Sequence, residues 1–288
     1  MKSHHKISSI FFIFLLLISS SGTSSNLILF DFFVPAYAVD GGVISQEISL
    51  EHDHVNGRYN SLVQVDSDTY ALAYNGPASR GTINTFTIPT DGSAITEVIS
   101  LEHNSFQTLF NSLVQVDSDT YALAYEGDSG DGFITTFTIN PTTGAITEVA
   151  TEEHDTADGT YNSLIKVDSD TYALAYAGFE EDGFIKTFTI PTDGSTITEV
   201  ATLEHDTADG THNSLTKVTS NTYALAYTGT NSDGIITTFT IPTDGSAITE
   251  VTSLAHATDT DGWGKENSLV QVDSDTYALA YAGDSNDG

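Results

Sequence analysis

A 51-residue repeat, two-residue alternation of side chains within it, and proline–glycine turns between its apolar segments predict an all-β protein built from repeated four-stranded sheets. The triplet Asn-Ser-Leu begins at Asn60, Asn111, Asn162, Asn213 and Asn267, and a histidine recurs at His52, His103, His154, His205 and His256. The histidines keep a step of 51 throughout, whereas the last triplet step is 54, so three extra residues fall in a loop between His256 and Asn267.

The unit from Asn162 to His205 shows the four elements in order. Ser163 to Val167 reads as strand A and ends at the polar turn Asp168-Ser169-Asp170. Tyr172 to Tyr176 reads as strand B, with Tyr172, Leu174 and Tyr176 on one face and Ala173 and Ala175 on the other. Phe184 to Ile190 is strand C. The turn Pro191-Thr192-Asp193-Gly194-Ser195 follows, where proline presets φ and glycine supplies a positive φ. Ile197 to Glu204 is strand D.

Four antiparallel strands per unit of this length predict a β-propeller of about five blades, the last incomplete; the alternative is a β-solenoid. A single blade cannot bury both faces, so the bulky Tyr-Leu-Tyr row is expected to pack into the small Ala-Ala row of the next blade. The repeats run at about 60–110, 111–161, 162–212 and 213–266, with a partial copy at 267–288 and an N-terminal strand at 43–52. That strand aligns with strand D, and the chain ends on strands A and B, so strand C of a fifth blade is missing. The expectation is a fragment or an imperfectly closed ring with unpaired strand edges.

Residues 1–38 read as a signal peptide. Lys2 and Lys6 flank the start, an apolar run covers 10–18, and Ala36-Tyr37-Ala38 offers a cleavage site. No stretch reaches the length of a membrane-spanning helix, so a secreted or cell-surface location without a span in the mature chain is expected; an uncleaved anchor is the alternative. The 288 residues contain no cysteine, which excludes disulfides and thiol chemistry. The net charge is −32 with only 8 Lys and Arg, which argues against nucleic-acid binding.

Comparison among the copies locates the variable surface. The A–B turn is Asp-Ser-Asp in four of five copies, and Thr219-Ser220-Asn221 in the other. The D–A loops (53–59, 104–110, 155–161, 206–212, 257–266) and the B–C loops (76–81, 127–132, 178–183, 229–234, 283–288) vary, and both belong to one end of the strands. A varied rim on a rigid scaffold is where binding is expected. Arg58, Tyr59, Arg80, Phe106, Phe110, Phe179, His212, Trp263 and Lys265 are the candidates there, suited to a protein or glycan ligand. The Asp-rich loops offer a possible calcium site through Asp155, Asp158, Asp206, Asp209, Asp259 and Asp261, although none has the full EF-hand spacing. The regular histidines end the outermost strands, too far apart to ring a metal, and a hydrogen-bonding role at the strand ends is expected for them.

Segments such as Asn60 to Tyr74 resemble the first two strands of a kelch blade, and Ala94 to Leu101 the fourth. One glycine stands where kelch blades carry two, and Ile95, Ile146, Ile197 and Ile248 stand at the usual tryptophan. The repeat is still more similar to uncharacterised exported repeat proteins of archaea. A kelch-like resemblance implies binding more often than catalysis. The expectation is therefore a non-enzymic binding or adhesion module, with a structural surface repeat or a glycan-active propeller enzyme as alternatives. Glu126, Glu180 and Glu181 are the glutamates of the B–C loops that an enzyme could use.

Overall fold

The computed structural model describes residues 44–258 and 264–283, together with short strands at 14–17 and 25–29. These are β1 (Phe14–Leu17), β2 (Ser25–Leu29) and β3 (Ile44–Gln46); β1 pairs antiparallel with β2, and β3 runs parallel to β2. The rest of the leader lies outside the described residues, and among those described no helix is long and apolar enough to cross a membrane.

The first blade is β4 (Arg58–Gln64), β5 (Thr69–Asn75), β6 (Gly81–Thr87) and β7 (Thr96–Asn104). The second is β8 (Leu109–Gln115), β9 (Thr120–Glu126), β10 (Gly132–Ile139) and β11 (Ile146–Asp155). The third is β12 (Thr160–Lys166), β13 (Thr171–Ala177), β14 (Gly183–Thr189) and β15 (Thr198–Asp206). The fourth is β16 (Thr211–Lys217), β17 (Thr222–Thr228), β18 (Gly234–Thr240) and β19 (Thr249–Ala257). β20 (Lys265–Asp273) and β21 (Thr276–Ala282) pair with each other as a two-stranded sheet. Each complete blade is an antiparallel meander, and the A strands β4, β8, β12, β16 and β20 lie side by side along the inner edge. This is the β-propeller arrangement that the repeat predicts.

The inter-blade core follows the large-into-small rule. Tyr172, Leu174, Tyr176 and Phe188 of the third blade pack on Ala122, Ala124 and Ile134 of the second. The same junction joins the first blade to the second and the third to the fourth. Fully burying one such side chain contributes about 1.5–3 kcal/mol.

The Asn-Ser-Leu triplet is a blade clasp. Ser61, Ser112, Ser163 and Ser214 each accept, through Oγ, the backbone N–H of the leucine of the next triplet at 2.9 Å. The asparagine side chain donates to the glycine carbonyl three residues back, as from Asn162 to Gly159 at 2.7 Å. The C–D turn clasps the preceding blade. The Gly194 carbonyl accepts the Thr136 hydroxyl at 2.7 Å, and Gly194 sits at φ +66° where a Cβ would lie 2.9 Å from Thr120.

Of the N-terminal strand expected at 43–52, only Ile44–Gln46 is in a ladder. Beyond β3 it forms no sheet, yet Ile48 and Leu50 pack on Tyr70, Leu72 and Tyr74 as a strand D would. Without a strand C beside it, the segment keeps the side-chain contacts of strand D and lacks a ladder partner.

The histidines are corrected too. His103, His154, His205 and His256 make no hydrogen bond through either ring nitrogen. Each is wedged across a junction: His154 meets Tyr176 of the next blade edge-on at 4.7 Å, and a Cβ on Gly132 would lie 2.3 Å from its ring. They serve as packing aromatics, and the repeated glycine at the start of strand C exists to admit them.

Candidate functional site

The D–A and B–C loops do share one end of the blades, and they are locked to one another. The Gly159 N–H donates to the Gly130 carbonyl at 2.9 Å, and Gly210 does the same to Glu181 at 2.8 Å. In the second and third blades the same backbone bond is kept although the loop sequences differ. The four described B–C loops each contain a short turn with a left-handed residue, at Ala78, Ser129, Glu180 and Asn231.

At the inner edge of this rim the second residue of every A strand adopts a left-handed backbone without being glycine. These are Tyr59 (φ 55°), Phe110 (51°), Tyr161 (52°), His212 (53°) and Glu266 (54°). Such strain at a bulged strand start persists only where the surroundings enforce it. The five side chains form a continuous arc. Ring centroids are 4.8 Å apart from Tyr59 to Phe110, and 4.3 Å apart both from Phe110 to Tyr161 and from Tyr161 to His212. His212 Nδ1 then lies 3.4 Å from Glu266 Oε1.

Glu126 closes the arc from the side. It ends β9 opposite Leu109, the residue before Phe110. Burial, with Asp158 adding to it, pushes its carboxyl up to about 7. Burial pushes Tyr161 up to about 12, with Glu181, Glu266, Tyr59 and Glu126 contributing, so its hydroxyl stays a neutral donor. Tyr59 is raised in the same way, by burial first and then Glu126, and Arg58 opposes this. His212 is held down at about 4 by burial and by Lys265, while burial raises Glu266 against the opposing pull of Lys265. The His212–Glu266 contact is therefore made by a neutral imidazole, although its geometry alone would pass for an ion pair.

Of the residues picked from the sequence, the structure gathers Arg58, Tyr59, Phe110, His212 and Lys265 at this arc. Arg80 is instead bound by both carboxylate oxygens of Glu102, at 3.0 and 2.9 Å. Phe106 borders an outer cleft with His103, Tyr125 and Phe133, and Phe179 stands exposed on its B–C turn. Trp263, Asp259 and Asp261 lie outside the described residues. Sequence reasoning missed Tyr161 and Glu266. Their shared position one residue before Asn-Ser-Leu was the available signal.

The remaining candidate metal ligands are engaged locally. Asp155 accepts the Ala157 N–H at 3.0 Å through Oδ1 and the Tyr176 hydroxyl at 2.9 Å through Oδ2. Asp206 repeats this with Ala208 and Tyr227. Burial and neighbouring carboxylates raise Asp158, and burial and Glu181 raise Asp209 to about 6. Among the described residues, no group of three His, Asp or Glu side chains is placed to share an ion.

Residues 119–269 match the family described as lactonase, 7-bladed β-propeller, which is more than half of the 288-residue chain. The chain belongs to this family. No curated protein matches the sequence significantly. Among solved structures, a protein from Lactobacillus plantarum superposes with a TM-score of 0.56 at 16% identity, over 75% of this chain and 62% of that one. A candidate 6-phosphogluconolactonase from Bacteroides fragilis gives 0.50 at 13% identity, over 68% and 55%. A candidate exo-β-1,3-galactanase from Bifidobacterium bifidum s17 gives 0.51 at 14% identity, over 81% and 84%. The chain thus spans less than two thirds of the length of the first two.

Family membership corrects two expectations. The matching family is a lactonase propeller family rather than kelch, and it points to a hydrolase where a non-enzymic module was expected. The repeated motifs mislead here because they are clasps between blades. The residues of the arc occupy one position of strand A, where the copies differ.

Proposed function

We propose that the chain carries the site of a propeller-type hydrolase that opens a cyclic ester. The observation that carries this reading is Glu126, a carboxyl poised near neutral pH beside a strained Tyr–Phe–Tyr–His–Glu arc, in a chain of a lactonase family. A general base works best when its pKa lies close to the working pH, and Glu126 meets that condition where His212 does not. In this reading the Glu126 carboxylate takes a proton from water as its oxygen attacks the lactone carbonyl. The Tyr161 hydroxyl donates to the oxyanion. The ring C–O bond then breaks, and the departing alkoxide takes the proton back from Glu126 to give the hydroxy acid. His212, neutral and oriented by Glu266, contributes a hydrogen-bonding group at the end of the arc.

The test is release of acid from a panel of aldono- and alkyl-lactones, followed at constant pH for the wild type and Glu126→Gln. Turnover that falls by about 10²–10⁴-fold in the variant supports the reading; a wild type that opens no lactone sinks it. A second reading, glycan binding without turnover at the variable rim, draws on the stacked Tyr59, Phe110 and Tyr161 rings, whose faces suit a sugar ring. The basic, apolar leader at 1–38 supports export for either reading.

A further inference from the structure

Outer clefts lie between the end of strand D, or its N-terminal counterpart, and the following blade, open at the first and second blades. The clefts differ at one position of strand C: Asn84, Thr135, Lys186 and Thr237 in the four blades. In the third blade the Lys186 ammonium fills this place. It donates to the His154 carbonyl, lies 3.2 Å from Glu199 Oε2, and sits 5.8 Å from the centroid of the Tyr176 ring. In the second blade a hydroxyl chain satisfies the same place. Thr135 Oγ1 bonds the Tyr125 hydroxyl at 3.2 Å and Thr151 Oγ1 at 2.9 Å.

The first blade keeps the carboxylate and the tyrosine ring that flank Lys186 in the third and omits the cation. A cleft of about 330 Å³ is lined by His52, Asp53, Tyr74, Asn84, Glu97 and Ser100, among others. Tyr74 and Glu97 are the counterparts of Tyr176 and Glu199. Asn84 is only 2% exposed and its amide bonds the Tyr74 hydroxyl, yet its Oδ1 has no hydrogen-bond partner, and neither does the buried Oδ2 of Asp53. In the third and fourth blades the corresponding oxygens of Asp155 and Asp206 accept a tyrosine hydroxyl. Thr82 stands where Phe184 stacks on Tyr176 in the third blade, so no ring covers Tyr74 from that side. Arg80, the cation nearby, is bound by Glu102, which leaves Asp53 and Glu97 as the unneutralised charges lining the cleft.

We propose that this first-blade cleft binds a primary ammonium group, the head of a small organic amine, in the place that Lys186 fills in the third blade. Asp53, Glu97 and the Asn84 carbonyl oxygen accept its three N–H bonds, and the Tyr74 ring supplies a π face. The site is independent of the arc at the inner rim.

The experiment is a titration of the full chain with n-butylammonium chloride, a mimic of the lysine stem, read by amide chemical shifts. Saturable shifts confined to residues 52–54, 82–84 and 97–100 are expected. Asn84→Lys, which copies the third blade, should abolish them while keeping the melting temperature at or above that of the wild type. Glu97→Gln should weaken binding about tenfold or more, as expected for loss of a charge-assisted bond. Tetramethylammonium, with no N–H to donate, should leave the same amides unmoved. A non-saturable response in the wild type, equal affinity in Asn84→Lys, or equal shifts from tetramethylammonium would each overturn the proposal.

Discussion

Ser112 Oγ accepts the Leu164 N–H at 2.9 Å across a blade junction, and the same bond recurs at three further junctions. It joins two inner strands that share no backbone ladder. Ser112→Ala leaves a partly buried N–H without its acceptor, at a cost of about 1–3 kcal/mol. Urea unfolding should show a lower midpoint; an unchanged one refutes the clasp.

The junction histidines make the fold sensitive to acid. Burial holds His103 and His205 at about 4 and His154 at about 3, below the unfolded value near 6.5. Protons therefore bind the unfolded chain first as pH falls. The stabilisation is fully present above about 6.5 and is lost on the way down, by about 2 kcal/mol per histidine at pH 5. The raised carboxyls of Glu126, Asp158 and Asp209 act in the opposite sense, because they take up protons more readily when folded. His154→Phe isolates the histidine part. Melting temperatures from pH 7.5 to 4.5 should fall less steeply for this variant than for the wild type.

Gly194→Ala should destabilise the chain by about 1–2 kcal/mol, because the position combines a left-handed φ with a close approach to Thr120. Thermal scans of Gly194→Ala against the wild type measure this cost directly. A variant as stable as the wild type would show that the C–D turn does not need its glycine.

The rim around the arc is acidic. Glu126, Asp131, Asp155, Asp158, Glu181, Asp209 and Glu266 act on one another or on the arc tyrosines, against Arg58 and Lys265. If a lactone is the substrate, an unphosphorylated one should be preferred over its phosphorylated counterpart by about tenfold or more in kcat/KM, with the gap narrowing as salt rises. Preference for the phosphorylated form at low salt would contradict this.

The blade was legible because alternation of Tyr-Leu-Tyr with Ala-Ala depends on strand geometry alone, and Pro-Thr-Asp-Gly encodes its own turn. The histidine wedge was not legible, since its reason is the missing Cβ of a glycine 22 residues away, as between Gly132 and His154. Tyr59, Phe110 and His212 stood out as variable residues. That they join Tyr161 and Glu266 in one arc depends on a left-handed backbone that no residue in those positions announces. Glu126 was visible as a rare glutamate, but its proton affinity comes from burial and Asp158, which only the folded chain supplies.

The paired glycines beneath the rim, such as Gly159 against Gly132, carry a broader consequence. Because backbone bonds between the loops, with Asp155, Asp206 and Asn162 as side-chain braces, do the anchoring, the other side chains above them are released from any duty to hold the loop. Recognition chemistry can then be exchanged between units like interchangeable tool heads on a common shank, and gene duplication supplies ready sockets for new specificities.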